Sequence, residues 1–175
     1  MRNVLIVVDM QNDFIDGALG TEEAVKILPE VERVCREFEG ELIFTRDTHP
    51  ENYLSTLEGE KLPVPHCIKG SFGWEISPVL SEIARERGSL IIDKPTFGSR
   101  ELGERLVLMN SEEKIGEITL CGLCTDICVI SNAMLVKAFL PETPVSVIAS
   151  ASAGVSVESH NRALEAMKVC QIDVK

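Results

Sequence analysis

The chain has 175 residues, 45% of them apolar and 26% charged, which predicts one globular domain spanning residues 1–175 with a full α/β core. A formal charge of −11 argues against nucleic acid or an anionic membrane as partner, since both need basic surface. No apolar run approaches the roughly 18 residues of a membrane span, no leader-like pattern precedes the first strand, and the cysteines are not spaced as a small secreted framework, so reduced thiols and a cytoplasmic setting are expected.

Val4-Leu5-Ile6-Val7-Val8 is a continuous β-branched run, the pattern of a central parallel strand buried on both faces. Asp9 follows it, where open α/β sheets bind ligands, although a turn residue there would look the same. Residues 15–28 read as a loop with Gly17 and Gly20. Pro29 then opens a helix whose apolar face is Val31, Val34, Cys35 and Phe38, and Gly40 ends it. Leu42 to Thr45 is the second strand.

The stretch from 47 to 75 is too long for a simple connection, and irregular segments of that length usually carry function. It holds Asp47 and His49 as an Asp-x-His pair, and His66 further on. One carboxylate and two imidazoles make a metal set with positions left open, and they equally describe surface histidines beside a turn aspartate. Ile76 to Arg87 is an amphipathic helix, and Leu90-Ile91-Ile92 the third strand. Lys94 lies at its carboxyl end, as a solvated lysine or a working one. Thr96 to Ser99 is a turn, and Glu101 to Leu108 a helix.

Gly116 to Leu120 is the fourth strand. Cys121-Gly122-Leu123-Cys124-Thr125-Asp126-Ile127-Cys128 follows, and a helix runs from Val129 to Leu140. Cys128 therefore sits in a helix's first turn, where free N–H groups and the helix dipole favour a thiolate. It is alternatively a small buried hydrophobe. Thr125 is read as the helix N-cap, with Asp126 favouring the dipole. Taking Cys121, Cys124 and Cys128 as one iron–sulfur or zinc site suits their places poorly, since a strand end and a helix start diverge. Pro144 to Ile148 is the fifth strand, Ala151 to Gly154 a loop, Val157 to Lys168 a helix that His160 caps or packs, and Cys170 to Val174 a last strand. The alternation predicts a three-layer αβα fold with a six-stranded, doubly wound parallel sheet. In such a sheet Asp9, Lys94 and Cys128 share one rim: an acid, a cation and a thiol, the set that nucleophilic amide hydrolysis uses.

Five segments carry a resemblance: Val7 to Phe14, Thr45 to His49, Pro65-His66-Cys67, Asp93-Lys94 and Gly122 to Val129. In this order they resemble the nicotinamidase/isochorismatase-like cysteine hydrolase superfamily, on its nicotinamidase branch. The resemblance implies Asp9 as proton acceptor, Lys94 as charge holder and Cys128 as nucleophile. It implies an oxyanion hole of the Cys124 and Cys128 N–H groups, shaped by a cis peptide at Leu123–Cys124. It implies one divalent metal, zinc first and iron or manganese next, on Asp47, His49 and His66. The substrate is then a small amide, nicotinamide foremost, and the assembly a dimer or tetramer. The usual aromatic before the second metal histidine is missing from Leu62-Pro63-Val64-Pro65-His66, so Phe14, Phe97 or Trp74 is expected to wall the substrate pocket. The alternatives are a related small-amide or N-carbamoyl amidohydrolase and a metal-binding relative without turnover.

Overall fold

The computed structural model describes all residues, 1–175. In chain order it comprises β1 (Arg2–Val8), α1 (Asn12–Ile15), α2 (Glu22–Glu37), β2 (Glu41–Asp47), a 3-10 turn (Tyr53–Ser55), α3 (Leu57–Lys61), α4 (Pro78–Glu86) and β3 (Leu90–Lys94). It continues with α5 (Arg100–Glu112), β4 (Ile115–Leu123), a π-helical turn (Thr125–Val129), α6 (Ile130–Phe139), β5 (Val145–Ala153), α7 (Val157–Val169) and β6 (Asp173–Val174). The six strands form one parallel sheet in the order β3-β2-β1-β4-β5-β6.

Period-two alternation along β1 explains the layers. Val4, Ile6 and Val8 face a core completed by Leu102 and Leu106 of α5, Val129 and Ala133 around α6, and Met167 of α7. Leu5 and Val7 face the other way, against Val31 and Cys35 of α2 and Leu80 and Ile83 of α4. All five β1 residues from Val4 to Val8 are fully buried, as a central parallel strand requires. The chain winds outward from β1 through β2 to β3, then crosses back to β4 and winds the other way. The carboxyl ends of β1 and β4 therefore adjoin at the reversal, where crevices form in open α/β sheets. There Gly122 pairs with Val8 at φ +116°, and a Cβ on it would stand 2.2 Å from the Val8 carbonyl oxygen. Only glycine permits that approach.

Several sequence-based boundaries move. Helix α2 starts at Glu22, seven residues before Pro29, and carries that proline inside it. An interior proline costs about 3 kcal/mol. The Thr21 hydroxyl, which caps the helix by accepting from the Ala24 N–H at 3.0 Å, and the burial of Val31, Val34 and Cys35 offset it. Strand β5 extends through Ala153, with Ala151 and Ala153 buried in the core that α2 covers. The expected loop at 151–154 is therefore mostly strand. Strand β4 likewise runs to Leu123 through an irregularity between Leu120 and Gly122.

Candidate active site

Three strand ends supply the buried charges. Asp9 follows β1 with φ +47°, a left-handed backbone that aspartate tolerates better than most residues. This turn aims its carboxylate back across the rim. Asp47 ends β2 and Lys94 ends β3, directly paired in register. The Lys94 Nζ lies 2.6 Å from Asp9 Oδ2, 3.3 Å from Asp47 Oδ1 and 3.5 Å from Cys128 Sγ, and it donates to the Thr96 carbonyl at 3.1 Å. All four side chains are 4% exposed or less. The structure thus brings Asp9, Lys94 and Cys128 together around one ammonium.

Two residues hold this group that the sequence did not single out. The Thr45 hydroxyl donates to Asp9 Oδ1 at 2.6 Å, fixing one carboxylate oxygen and leaving the other for Lys94 and the thiol. Gln11 is completely buried. Its Nε2 donates to the Asp47 carbonyl at 2.8 Å and the Trp74 carbonyl at 2.9 Å, while its Oε1 accepts from the Asp47 N–H at 2.7 Å. An amide side chain can satisfy a backbone N–H and C=O together, and here it clamps the segment that carries Asp47.

Burial dominates the electrostatics. It pushes the Asp9 carboxyl up, against the opposing charge of Lys94. Burial also tends to neutralise Lys94, but Asp9, Cys128 and Asp47 outweigh it and keep the ammonium charged. The Cys128 thiol is pushed well up by burial and then by the Asp9 carboxylate, with Lys94 opposing. This corrects the expectation that a helix start would lower it: the dipole is outweighed by desolvation. With both Asp9 and the thiol shifted upward, the two compete for one proton beside a fixed cation.

Asp47 faces two ways. Its Oδ1 meets Lys94, and its Oδ2 lies 2.8 Å from His49 Nε2 and 3.6 Å from His66 Nε2. His66 returns to this point because residues 49 and 68 form a parallel bridge: the His49 N–H donates to the Cys67 carbonyl, and the Lys69 N–H to the His49 carbonyl, both at 3.0 Å. Burial tends to raise the Asp47 carboxyl, but its bonds to His49 and His66 and the charge of Lys94 hold it well below the usual carboxylate range.

Glu58, on α3, completes the cluster. Its Oε1 lies 3.6 Å from His49 Nε2 and 3.8 Å from His66 Nε2, and one ligand atom from each of the four residues falls within 4.8 Å of the others. The His66 Nδ1 faces the Val64 carbonyl at 2.8 Å, which directs Nε2 inward. Two imidazoles and two carboxylates, nearly all buried, fit a divalent cation such as zinc, iron or manganese. Tyr53 packs edge-on to both rings at 4.8 and 5.0 Å and fixes their planes. Glu58 sat unmarked among the acidic residues of 47–75, and only the capped helical turn beginning at Thr56 brings it inward.

The turn that carries Cys128 departs from its sequence reading. Cys124 occupies the cap position, and the five residues Thr125–Val129 form a π-helical turn before α6. Thr125 is not the cap: its hydroxyl lies 2.8 Å from His160 Nδ1 of α7. Asp126 accepts from the Val155 N–H at 3.2 Å. So α7 grips the turn from outside, and His160 packs against it rather than capping its own helix. The Leu123–Cys124 peptide is cis, and the Cys124 N–H has no acceptor within the protein. No shared metal cluster forms from the cysteines: Cys121 packs on the α2 side of the sheet and Cys128 on the α6 side.

A cavity of about 50 Å³ opens on Cys128, walled by Phe14, Phe97, Leu62, Ile127 and Cys124, with Asp47 and His66 at its floor. The Phe14 ring centroid lies 5.5 Å from that of His66. Trp74 is not part of this wall. Its indole N–H donates to the Thr48 hydroxyl at 2.9 Å, and the Arg46 guanidinium lies 3.7 Å over its ring, so its large face is spent on rim packing.

Comparison with known proteins returns one family. The isochorismatase domain model matches residues 3–174. An uncharacterised isochorismatase family protein, PncA of Bacillus subtilis, is 32% identical over 94% of this chain and 93% of its own. The nicotinamidase of Schizosaccharomyces pombe is 26% identical over 97% of this chain and 91% of its own. Among solved structures, the pyrazinamidase of Pyrococcus horikoshii in complex with zinc superposes with a TM-score of 0.81 at 30% identity, over 100% of this chain and 99% of that one.

Proposed function

The chain belongs to the isochorismatase family, and on that premise we propose that it is a metal-assisted cysteine amidohydrolase, a nicotinamidase converting nicotinamide and water to nicotinate and ammonia. The observation that carries the reading is the single buried ammonium of Lys94 touching Asp9, Asp47 and Cys128. Asp9 accepts the thiol proton as sulfur bonds to the amide carbon, and the carbonyl electron pair moves onto oxygen. The N–H groups of Cys124 and Cys128 receive that oxyanion. Asp9 returns the proton to the amide nitrogen, the C–N bond breaks, and ammonia leaves a thioester on Cys128. Asp9 then takes a proton from water as the water oxygen attacks the thioester. The C–S bond breaks, the thiol regains the proton from Asp9, and the acid product leaves as nicotinate, its carboxyl proton passing to solvent. Lys94 keeps its charge throughout and limits the cost of negative charge on Asp9 and sulfur. Asp47, His49, His66 and Glu58 are the groups that would hold the divalent ion, zinc by the analogy with the Pyrococcus pyrazinamidase. Bound there, it would supply a positive charge toward which a pyridine nitrogen could be oriented.

Phe14 and Phe97 are the walls for the ring in this reading. On this reading the enzyme works in NAD salvage. Six unpaired cysteines support a reducing, cytoplasmic setting. Exposed apolar side chains such as Leu57, Phe72, Val155 and Val157 support a homo-oligomer, dimer or tetramer. The deciding experiment measures ammonia release from nicotinamide by the metal-loaded wild type, by Cys128→Ala and after chelation. Release that vanishes in Cys128→Ala and falls with chelator sustains the reading. A folded, metal-loaded wild type that releases none overturns it.

A further inference from the structure

Asn132 takes no part in the chemistry above, yet it joins the two halves of the cavity. It lies one turn after Cys128 on α6 and is 0% exposed. Its Nδ2 donates to the Cys128 carbonyl at 2.8 Å and to the Phe97 carbonyl at 3.1 Å, and its Oδ1 accepts from the Ser99 N–H at 2.9 Å. All these bonds end on the backbone of two segments: the turn that carries the nucleophile and the loop that carries the Phe97 wall. Lys94 also reaches both, the Thr96 carbonyl and the Cys128 thiol, but only Asn132 bonds the backbone of each. The loop also rests directly on α6, for a Cβ on Gly98 would stand 2.5 Å from Leu135 Cδ1. Ser99 then caps α5 through its bond from the Leu102 N–H at 3.1 Å, so the loop is held at both ends.

Phe97 itself is 42% exposed and has little packing of its own to fix it. A wall so placed would drift unless its backbone were tied. We infer that Asn132 is a positioning residue that sets the Phe97 wall at a fixed distance from Cys128, and so governs both the seating of the aromatic ring and the approach of the thiol. The inference rests on the nicotinamidase reading for its substrate, and on hydrogen-bond geometry alone for the link.

Two substitutions separate the two halves of the link. In Asn132→Ser the hydroxyl still reaches back to the Cys128 carbonyl four residues earlier, but not to Phe97 or Ser99. In Asn132→Ala every bond is lost. With nicotinamide, Asn132→Ser raises KM several-fold and leaves kcat close to wild type. Asn132→Ala raises KM alike and also lowers kcat by about 10- to 100-fold, the scale of a small misplacement of reacting groups. In a Phe97→Ala background the KM effect of either change disappears, because the wall being positioned is gone, while the kcat effect of Asn132→Ala persists. A merely structural asparagine would instead lower thermal stability in both variants without splitting KM from kcat. The inference is overturned if both folded variants match wild type, or if Asn132→Ser loses kcat as Asn132→Ala does with KM unmoved. A wild type inert to nicotinamide would sink the substrate reading separately. Alkylation of Cys128 by iodoacetamide then reads the link: slowed in Asn132→Ala and unchanged in Asn132→Ser if the inference holds, equal in all three proteins if it fails.

Discussion

Both ends of the sheet gather carboxylates around a basic side chain, to opposite effect. At the carboxyl rim, Asp9, Asp47 and Lys94 are buried and share one ammonium. At the amino rim, Arg2 meets Glu41, Glu112 and Glu113, and Arg87 donates to the Phe38 and Gly40 carbonyls beside a polar hollow of about 320 Å³. There the acidic partners are about half exposed or more, and each charge has water as an alternative. An ion pair in water is exchangeable and contributes little. An ion pair without water has no substitute, so removing one member leaves the others stranded. The contrast teaches that burial, not charge, marks the working end.

The largest effect should come from Lys94→Met. It leaves Asp9 and Asp47 facing each other without a cation, and breaking a buried pair of this kind typically costs about 3–5 kcal/mol. Ammonia release should fall below detection, and the melting temperature should drop sharply in calorimetry. Retention of measurable turnover in Lys94→Met would erase the distinction between the rims.

The proton held between Asp9 and Cys128 gives the next effect. In the proposed mechanism Asp9 must be ionised to accept the thiol proton, and burial raises its pKa above the ordinary carboxylate value. Activity is therefore present above that raised pKa and lost as pH falls through it. The acidic limb of kcat/KM should lie above the usual aspartate range. Thr45→Val removes a hydrogen bond that favours the ionised form. It should move the limb upward by about one pH unit, the equivalent of one buried bond of ~1.4 kcal/mol. A limb that stays in place would show that another group controls it.

A smaller change is expected where α7 grips the nucleophile turn. His160→Ala frees the Thr125 hydroxyl and should lower kcat several-fold with KM unchanged. Thr125→Val should do the same, and the double variant should be no worse than either single one, because both remove one interaction. Additive losses in this cycle would separate the two residues. Smallest of all, Arg2→Ala at the amino rim should leave kcat and KM at wild-type values. A loss of turnover there would mean that the exposed rim is coupled to the buried one.

How much of this was legible in the sequence depends on what kind of signal each residue carried. Strand ends are legible because β-branched runs stop abruptly, and Asp9, Lys94 and Cys128 stand at or just past such ends. The Asp47–His49 pair was visible as a spacing. Glu58 and Tyr53 were not, because they reach the cluster through helical turns hidden in a stretch that looked irregular. Thr45 acts on the Asp9 carboxylate, and Gln11 and Asn132 on backbone groups, all in distant segments, and no local pattern announces such bonds. Pro29 misled because proline commonly opens a helix, whereas here it lies inside one that begins at Glu22. Trp74 misled because a substitute was expected for the missing aromatic before His66, whereas its partners Arg46 and Thr48 were fixed by the fold.

The reversal of strand order at β1 and β4 has a consequence for how the protein acquires its competence during folding. Val8 meets Gly122 only after more than half of the chain has been gathered between them. Contacts of such sequence separation carry a high loop-closure cost and tend to form late. The hairpin-free halves can assemble first, β1 to β3 on one side and β4 to β6 on the other, with each half holding only part of the machinery. During refolding, the return of secondary structure should therefore precede the return of catalysis, and the docking of the two halves is the event that switches the enzyme on.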